Sequence, residues 1–375
     1  MSVTGRELRS TAREDGTLQL VLEDVTLDAP GADQVIVKIE AAPINPSDLG
    51  LLLGPADVST LRAEGTRERP ILTFDIQPSR RGGVRARLGQ SLAVGNEGAG
   101  TVVATGENAK ALEGKRVGML GGKMYADYRK LKMRDVVALP EGASAADGAS
   151  MFVNPLTALG FVETAKNEGH RAIVHTAAAS NLGQMLQKIC LKDGIPLVNI
   201  VRSEEQEKIL RGIGATHVLN SKAEDFRARL VDAIAATGAT VAFDATGGGS
   251  LGRDIVQAME QAAARNMKEY SRYGSDSFKQ LYVYGSLDLS PTVLNRQAFG
   301  FQWSVSGWLL TPFLQKAGAD VGARLRQRVR DELTTTFASH YTRTIGLAEM
   351  LDPDILRQYE RKATGEKFLV DPTRG

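Results

Sequence analysis

One stretch of the chain has the residue types to hold a phosphate. Residues 175–183 read His-Thr-Ala-Ala-Ala-Ser-Asn-Leu-Gly. They join an apolar run to a helical pattern, AIVHTAAAS to NLGQMLQKICLKDG, which ends at Gly194. Small residues at such a corner let the backbone approach a pyrophosphate, and the helix N-terminus favours the anion. A dinucleotide fingerprint places glycine at three positions of this turn. Gly183 is the third; Ala178 and Ser180 stand at the first two. A tight strand–helix corner without a ligand would read the same way.

The next strand, PLVNIVR, ends in Arg202-Ser203. An acidic residue there would bind the free 2′-hydroxyl of NAD. An arginine suits a 2′-phosphate, which it can hold bidentately. The pair therefore predicts NADPH, against the alternative of a solvated residue at a strand end. Ser203 is placed to cap the following helix, SEEQEKILRGIG.

Other chemistries lack their residues. Cys190 is the sole cysteine, which excludes a disulfide framework and any zinc site of several cysteines. It lies in a helical pattern, as a small core residue would. His170, His175, His217 and His340 are scattered, with no pair at ligand spacing. Lys and Arg number 46 against 44 Asp and Glu, a net charge of +2, which argues against nucleic acid as a partner. No apolar run approaches the ~18 residues of a membrane helix, and MSVTGRELRS has no signal-peptide core. The expectation is a cytoplasmic chain with no membrane partner.

The elements that position these residues follow from the patterning. Residues 17–53 and 94–140 hold short β-runs broken by Gly and Pro, which suggests a barrel-like β-domain. Residues 54–93 are irregular and carry seven arginines, from Arg62 to Arg87. After Pro155, strand and helix alternate at about 25 residues per pair, the signature of an α/β doubly wound parallel sheet.

Motifs in order along the chain then resemble one family. Ala42-Pro-Ile-Asn-Pro-Ser-Asp48, Val94-Gly-Asn-Glu-Gly-Ala-Gly100, Met124-Tyr-Ala-Asp-Tyr128, Asn154-Pro-Leu-Thr-Ala158 and Gly365-Glu-Lys367 resemble segments of the medium-chain dehydrogenase/reductases. The resemblance is to the zinc-free branch of NADPH:quinone oxidoreductases, near the 2-enoyl thioester reductases. It implies a Rossmann coenzyme domain over 154–310. It also implies a discontinuous GroES-like β-barrel catalytic domain from 1–153 and 311–375. It carries coenzyme contacts to Asn154, Thr157, Asn181, Leu182, Asn220, Gly247, Gly285 and Lys367, beside Ala178, Ser180, Gly183, Arg202 and Ser203. Asn45 is the candidate catalytic residue, hydrogen-bonding the acceptor oxygen or the nicotinamide ribose; its alternative role is to cap its own turn.

The chain departs from the family at three points. Asn96 stands where a zinc-ligating histidine would be. Residues 50–56, Gly-Leu-Leu-Leu-Gly-Pro-Ala, lack the tyrosine such reductases carry. Candidate replacements for it are Tyr125, Tyr128, Tyr282 and Tyr284. Residues 55–93 and 262–279 are insertions; the first would steer an anionic substrate or form a solvated excursion. The second is expected near the ligand, beyond the carboxyl ends of the strands. The resemblance implies an NADPH-dependent reductase of a small-molecule quinone or related conjugated carbonyl. The alternatives are a 2-enoyl thioester (acyl-CoA) reductase and a non-catalytic NADPH-binding protein. A homodimer is expected through the apolar run 299–308.

Overall fold

A computed structural model describes residues 2–374. The chain divides into two units: one runs through Val153 and resumes at Val329, and the other is Asn154–Arg328.

The first unit is built of β-sheet. Five strands pair antiparallel in the order Ala56–Gly65, Pro70–Ile76, Thr17–Leu27, Val3–Ala12, Ser91–Ala93. Burial alternates along Thr17–Leu27, with Leu18, Leu20 and Leu22 turned into the core, the period of a half-buried strand. Residues 54–93 are therefore not irregular. They form a hairpin and a 3-10 turn, Pro78–Arg87, that widen this sheet. Arginines on the exposed side hid the pattern, Arg62 pairing with Asp75 and Arg69 with Asp24, whereas Arg87 is half-buried against Leu51 and Ser10.

A second sheet runs Val136–Ala138, Arg116–Leu120, Glu97–Thr105, Gln34–Pro43, Phe368–Val370, Arg343–Ile345; Tyr128–Lys132 also pairs with Gln34–Pro43. The glycines of GNEGAG have a packing reason here. A Cβ at Gly100 would lie 1.9 Å from the Lys38 carbonyl oxygen. Near the chain's end, GEKFLVDP returns to this unit, where Phe368–Val370 lies antiparallel to Gln34–Pro43.

The second unit holds six parallel strands in the order His217–Asn220, Leu197–Val201, Ile173–His175, Val241–Asp244, Lys279–Val283, Trp303–Gly307. In chain order this is 3-2-1-4-5-6, the Rossmann arrangement. Leu197–Val201 is buried at every position, as a central parallel strand should be. The unit closes at Arg328, not at residue 310. Side chains beyond the last strand explain the difference. Trp308 Nε1 donates to Thr164 Oγ1 at 3.0 Å, Arg324 pairs with Glu163, and Arg328 pairs with Asp193.

The 262–279 segment departs from its expected place near the ligand. Ser275 and the buried Lys279 bind Glu260, near the end of helix Leu251–Ala264. Lys279 opens its strand, so these bonds lie at the amino-terminal edge of the sheet. A helix that returns to start a parallel strand must deliver the chain to that edge.

Candidate functional site

In an all-parallel sheet every strand leaves by the same edge. The predicted coenzyme residues that follow the strands of the second unit lie there. Ala178 N donates to the Ile200 carbonyl at 3.1 Å, which ties the turn to the neighbouring strand. Ser180 caps helix Asn181–Asp193, its Oγ accepting from Gly183 N at 3.2 Å. Gly183 is required at its place: a Cβ there would sit 2.1 Å from the Ala178 carbonyl oxygen. Asn181 and Leu182 form the first turn of this helix. The glycine fingerprint is thus reduced to the one position where sterics demand it.

Ser203 caps helix Glu204–Gly212, its Oγ accepting from Gln206 N. The Gln206 side chain accepts from Arg202 N at 2.8 Å. Arg202 is exposed, and no bond of its guanidinium is recorded among the described residues. Asn220 ends the next strand; its Oδ1 accepts from Lys222 N, and Ser221 N donates to the Val201 carbonyl. These links bring residues 220–222 beside the Arg202 corner.

The fourth and fifth strands end in the loops that hold the predicted Gly247 and Gly285, fixed by Asp244, which carries no signal of its own in the sequence. Asp244 is buried and accepts from Thr176 Oγ1 at 2.6 Å, Thr246 N at 2.8 Å and Gly247 N at 3.0 Å. Gly247 takes φ +78°, which its missing Cβ permits. Gly285 packs on Ala245, whose carbonyl oxygen would lie 2.5 Å from an added Cβ. Asn154 and the buried Thr157 lie on helix Val153–Asn167.

His175 is fully buried, and its Nε2 lies 2.8 Å from Tyr284 Oη. Burial drives the imidazole down to about 3, so it is neutral. Tyr282 donates to Glu168 Oε1 at 2.6 Å. Cys190 is buried and its thiol pushed up to about 12, mainly by burial. It is a core residue.

Asn45 and Lys367 belong to the first unit. Asn45 is 2% exposed and precedes helix Pro46–Leu52. Its backbone N–H donates to Asp48 Oδ2, and its Nδ2 donates to Glu97 Oε1, both at 2.8 Å. The other oxygen of Glu97 accepts from Phe152 N and Val153 N, each at 2.9 Å. Asp48 Oδ1 accepts from Asn96 N at 2.8 Å. Burial pushes the Asp48 carboxyl up to about 7 and raises that of Glu97 as well. Asn45 therefore stands at the N-cap, where Asp48 closes the turn, while its own amide is locked to a buried acid.

Lys367 Nζ donates to Ser150 Oγ at 2.8 Å, and Ser150 Oγ lies 2.8 Å from Tyr341 Oη. Neither Ser150 nor Tyr341 carried a signal in the sequence, because they meet Lys367 from positions 217 and 26 residues away. Tyr125 is fully buried and its hydroxyl is spent on the Pro43 carbonyl at 3.0 Å. Among the described residues, no group of three His, Cys, Asp or Glu side chains is placed to hold a metal ion.

No family model matches the chain. It is 28% identical over 219 residues to a mitochondrial enoyl-[acyl-carrier-protein] reductase of Caenorhabditis elegans, covering 54% of this chain and 53% of that protein. It is 26% identical over 185 residues to a quinone oxidoreductase of Pseudomonas aeruginosa, covering 48% and 57%. The chain thus spans about half the length of the curated relatives it matches. A candidate NADPH:quinone reductase of Mesorhizobium loti has a solved structure that matches over 98% of both chains, at TM-score 0.72 and 26% identity. The Escherichia coli quinone oxidoreductase complexed with NADPH covers 99% of this chain and 100% of its own, at TM-score 0.67 and 18% identity, and shows the shared fold. The resemblance read from the motifs thus stands: in sequence and fold this chain is similar to the NADPH:quinone oxidoreductases and enoyl thioester reductases of the medium-chain dehydrogenase/reductase superfamily.

Proposed function

We propose that this chain is an NADPH-dependent reductase of quinones or related conjugated carbonyls that works without metal. The observation that carries the reading is the Ala178–Gly183 turn, closed by Ser180 and followed across the sheet by the free guanidinium of Arg202. The turn and helix N-terminus suit a pyrophosphate, and Arg202 suits a 2′-phosphate. Asn154, Thr157, Asn181, Leu182, Ser203, Asn220, Gly247 and Gly285 are proposed to complete the coenzyme contacts. NADPH, when bound, supplies the hydride. The protein's part is to bind, orient and keep charges balanced.

In the first unit, Glu97 holds one Nδ2 proton of Asn45. The second Nδ2 proton is proposed to meet the acceptor oxygen or the nicotinamide ribose. A 2-enoyl thioester reductase is the second reading, favoured by the likeness to enoyl-[acyl-carrier-protein] reductases. We further propose a cytoplasmic homodimer. Trp303–Gly307 is the edge strand of its sheet, and Phe301 and Leu309 beside it are exposed; such an edge invites pairing. No described helix is long and apolar enough to cross a membrane.

The test is a fluorescence titration with NADPH and NADH, followed by assays of NADPH oxidation with 1,4-benzoquinone and with crotonyl-CoA. Turnover of the quinone supports the first reading, and turnover of crotonyl-CoA alone supports the second. Binding without turnover of either would leave a coenzyme-binding protein and sink both.

A further inference from the structure

At neutral pH a phosphate monoester carries about two negative charges, and one exposed arginine balances part of that charge. The adjoining strand end supplies a second cation that neither the glycine turn nor the family motifs single out. Leu197–Val201 and His217–Asn220 are parallel neighbours, with Val201 opposite Asn220. Their pairing runs one residue further, because Ser221 N donates to the Val201 carbonyl at 2.8 Å. Arg202 and Lys222 thus leave two adjacent strands at the same edge of the second unit, beyond the carboxyl ends where a parallel sheet takes its ligands. Both backbones are fixed there. Arg202 N donates to Gln206 Oε1 at 2.8 Å, and Lys222 N donates to Asn220 Oδ1 at 3.0 Å.

Neither cation has an acid partner. Both residues are exposed, and among the described residues no partner is recorded for the Arg202 guanidinium or the Lys222 ammonium. On the helices of this unit the arginines are treated differently. Arg211 pairs with Glu207, Arg229 with Asp225, Arg265 with Asp232, and both Arg227 and Arg253 with Asp254. Of the acids closest in sequence, the Glu205 carboxyl is engaged by its own backbone N–H and by Ser203. Glu204 and Glu224 are exposed, and among the described residues neither makes a recorded bond to either cation. Like charges on neighbouring strand ends repel, and a dianion between them relieves that repulsion.

We propose that Lys222 is a second specificity-determining residue, which together with Arg202 brackets the 2′-phosphate of NADPH. The proposal rests on the NADPH reading and adds a residue of the third strand's turn to it. The two cations differ in chemistry. The guanidinium is a rigid fork that meets two phosphate oxygens side by side, and the ammonium is a compact charge on a flexible four-carbon stem. Arg202 sets the orientation of the phosphate, and Lys222 closes on its other side. A ribose with a free 2′-hydroxyl offers no charge to the ammonium. Lys222 therefore adds to the preference for the phosphorylated coenzyme and not to the binding of adenosine itself.

Calorimetric titrations of the full chain with adenosine 2′,5′-bisphosphate and 5′-AMP test this, because the two nucleotides differ only in the 2′-phosphate. Lys222→Ala should weaken the bisphosphate about fivefold at low salt and leave 5′-AMP within about twofold, the upper end of what an exposed ion pair contributes. Lys222→Arg keeps the charge and should restore the wild-type value. Wild-type affinity for the bisphosphate should fall more steeply with added salt than that of Lys222→Ala. Lys222→Ala combined with Arg202→Ala should bind both nucleotides alike. If Lys222→Ala keeps wild-type affinity for the bisphosphate while Arg202→Ala loses it, Lys222 is a solvated lysine; the proposal fails and the coenzyme reading stands. Equal losses for both nucleotides in Lys222→Ala would place the residue in the fold of the corner and overturn the proposal as well. A wild type that binds 5′-AMP as tightly as the bisphosphate removes the NADPH reading and the proposal with it.

Discussion

Replacing Arg202 by alanine tests the coenzyme assignment at its most exposed point. Among the described residues the side chain has no partner of its own, so its removal disturbs little of the fold: the contact that fixes this corner is between Arg202 N and Gln206, and alanine keeps it. Ser203 still caps helix Glu204–Gly212. What is lost, on the proposed reading, is the contact to a 2′-phosphate. A hydrogen bond to a charged group contributes about 1.5–3 kcal/mol, or roughly 10- to 150-fold in affinity. Arg202 is exposed, so solvent and salt pull the effect towards the lower end. We expect Arg202→Ala to weaken NADPH binding about tenfold and to change NADH binding by less than about twofold, with the NADPH effect shrinking as salt is raised. The Glu205 carboxyl, at the helix start, is held below its usual range by its own backbone N–H and Ser203. Glu204, beside it, is the residue that would bind free ribose hydroxyls instead. Fluorescence titrations of both proteins with both coenzymes decide the matter. Equal losses for the two coenzymes, or a wild type that prefers NADH, would refute the reasoning.

Further outcomes follow from buried geometry. Gly183→Ala places a methyl against the Ala178 carbonyl, so the turn must open; NADPH affinity should fall by more than tenfold in the same titration, with the urea midpoint lowered. His175 has a folded pKa near 3, far below the ~6.5 of the unfolded chain. The unfolded chain therefore binds the extra proton between these values, so the stability His175 lends is intact above pH 6.5 and is lost as pH falls towards 3. The urea midpoint should drop between pH 7.5 and 5, and His175→Asn should flatten that drop. Cys190, buried with its thiol near 12, should not react with a disulfide reagent until the chain is unfolded; stoichiometric labelling of the native protein would contradict its place in the core.

The sequence by itself determined the parallel-sheet fold of the second unit to a good approximation. The alternation of apolar runs and helical patterns reports burial directly, because a central parallel strand such as Leu197–Val201 is apolar throughout and its helices need caps such as Ser180 and Ser203. Where side chains lie on an open face the same signal fades, which is why the hairpin Ala56–Gly65 and Pro70–Ile76 read as irregular. The end of the second unit at Arg328 was likewise hidden, since it depends on contacts such as Trp308 with Thr164 that no local pattern encodes. Only the tertiary structure decided the polar chemistry. Asp244 meets Thr176 across 68 residues, Asn45 meets Glu97 across 52, and Lys367 meets Ser150 across 217. Each of these residues taken alone is an ordinary polar side chain. The packing of strands and the turns that leave them brings each pair within 3 Å, a proximity that no local pattern encodes.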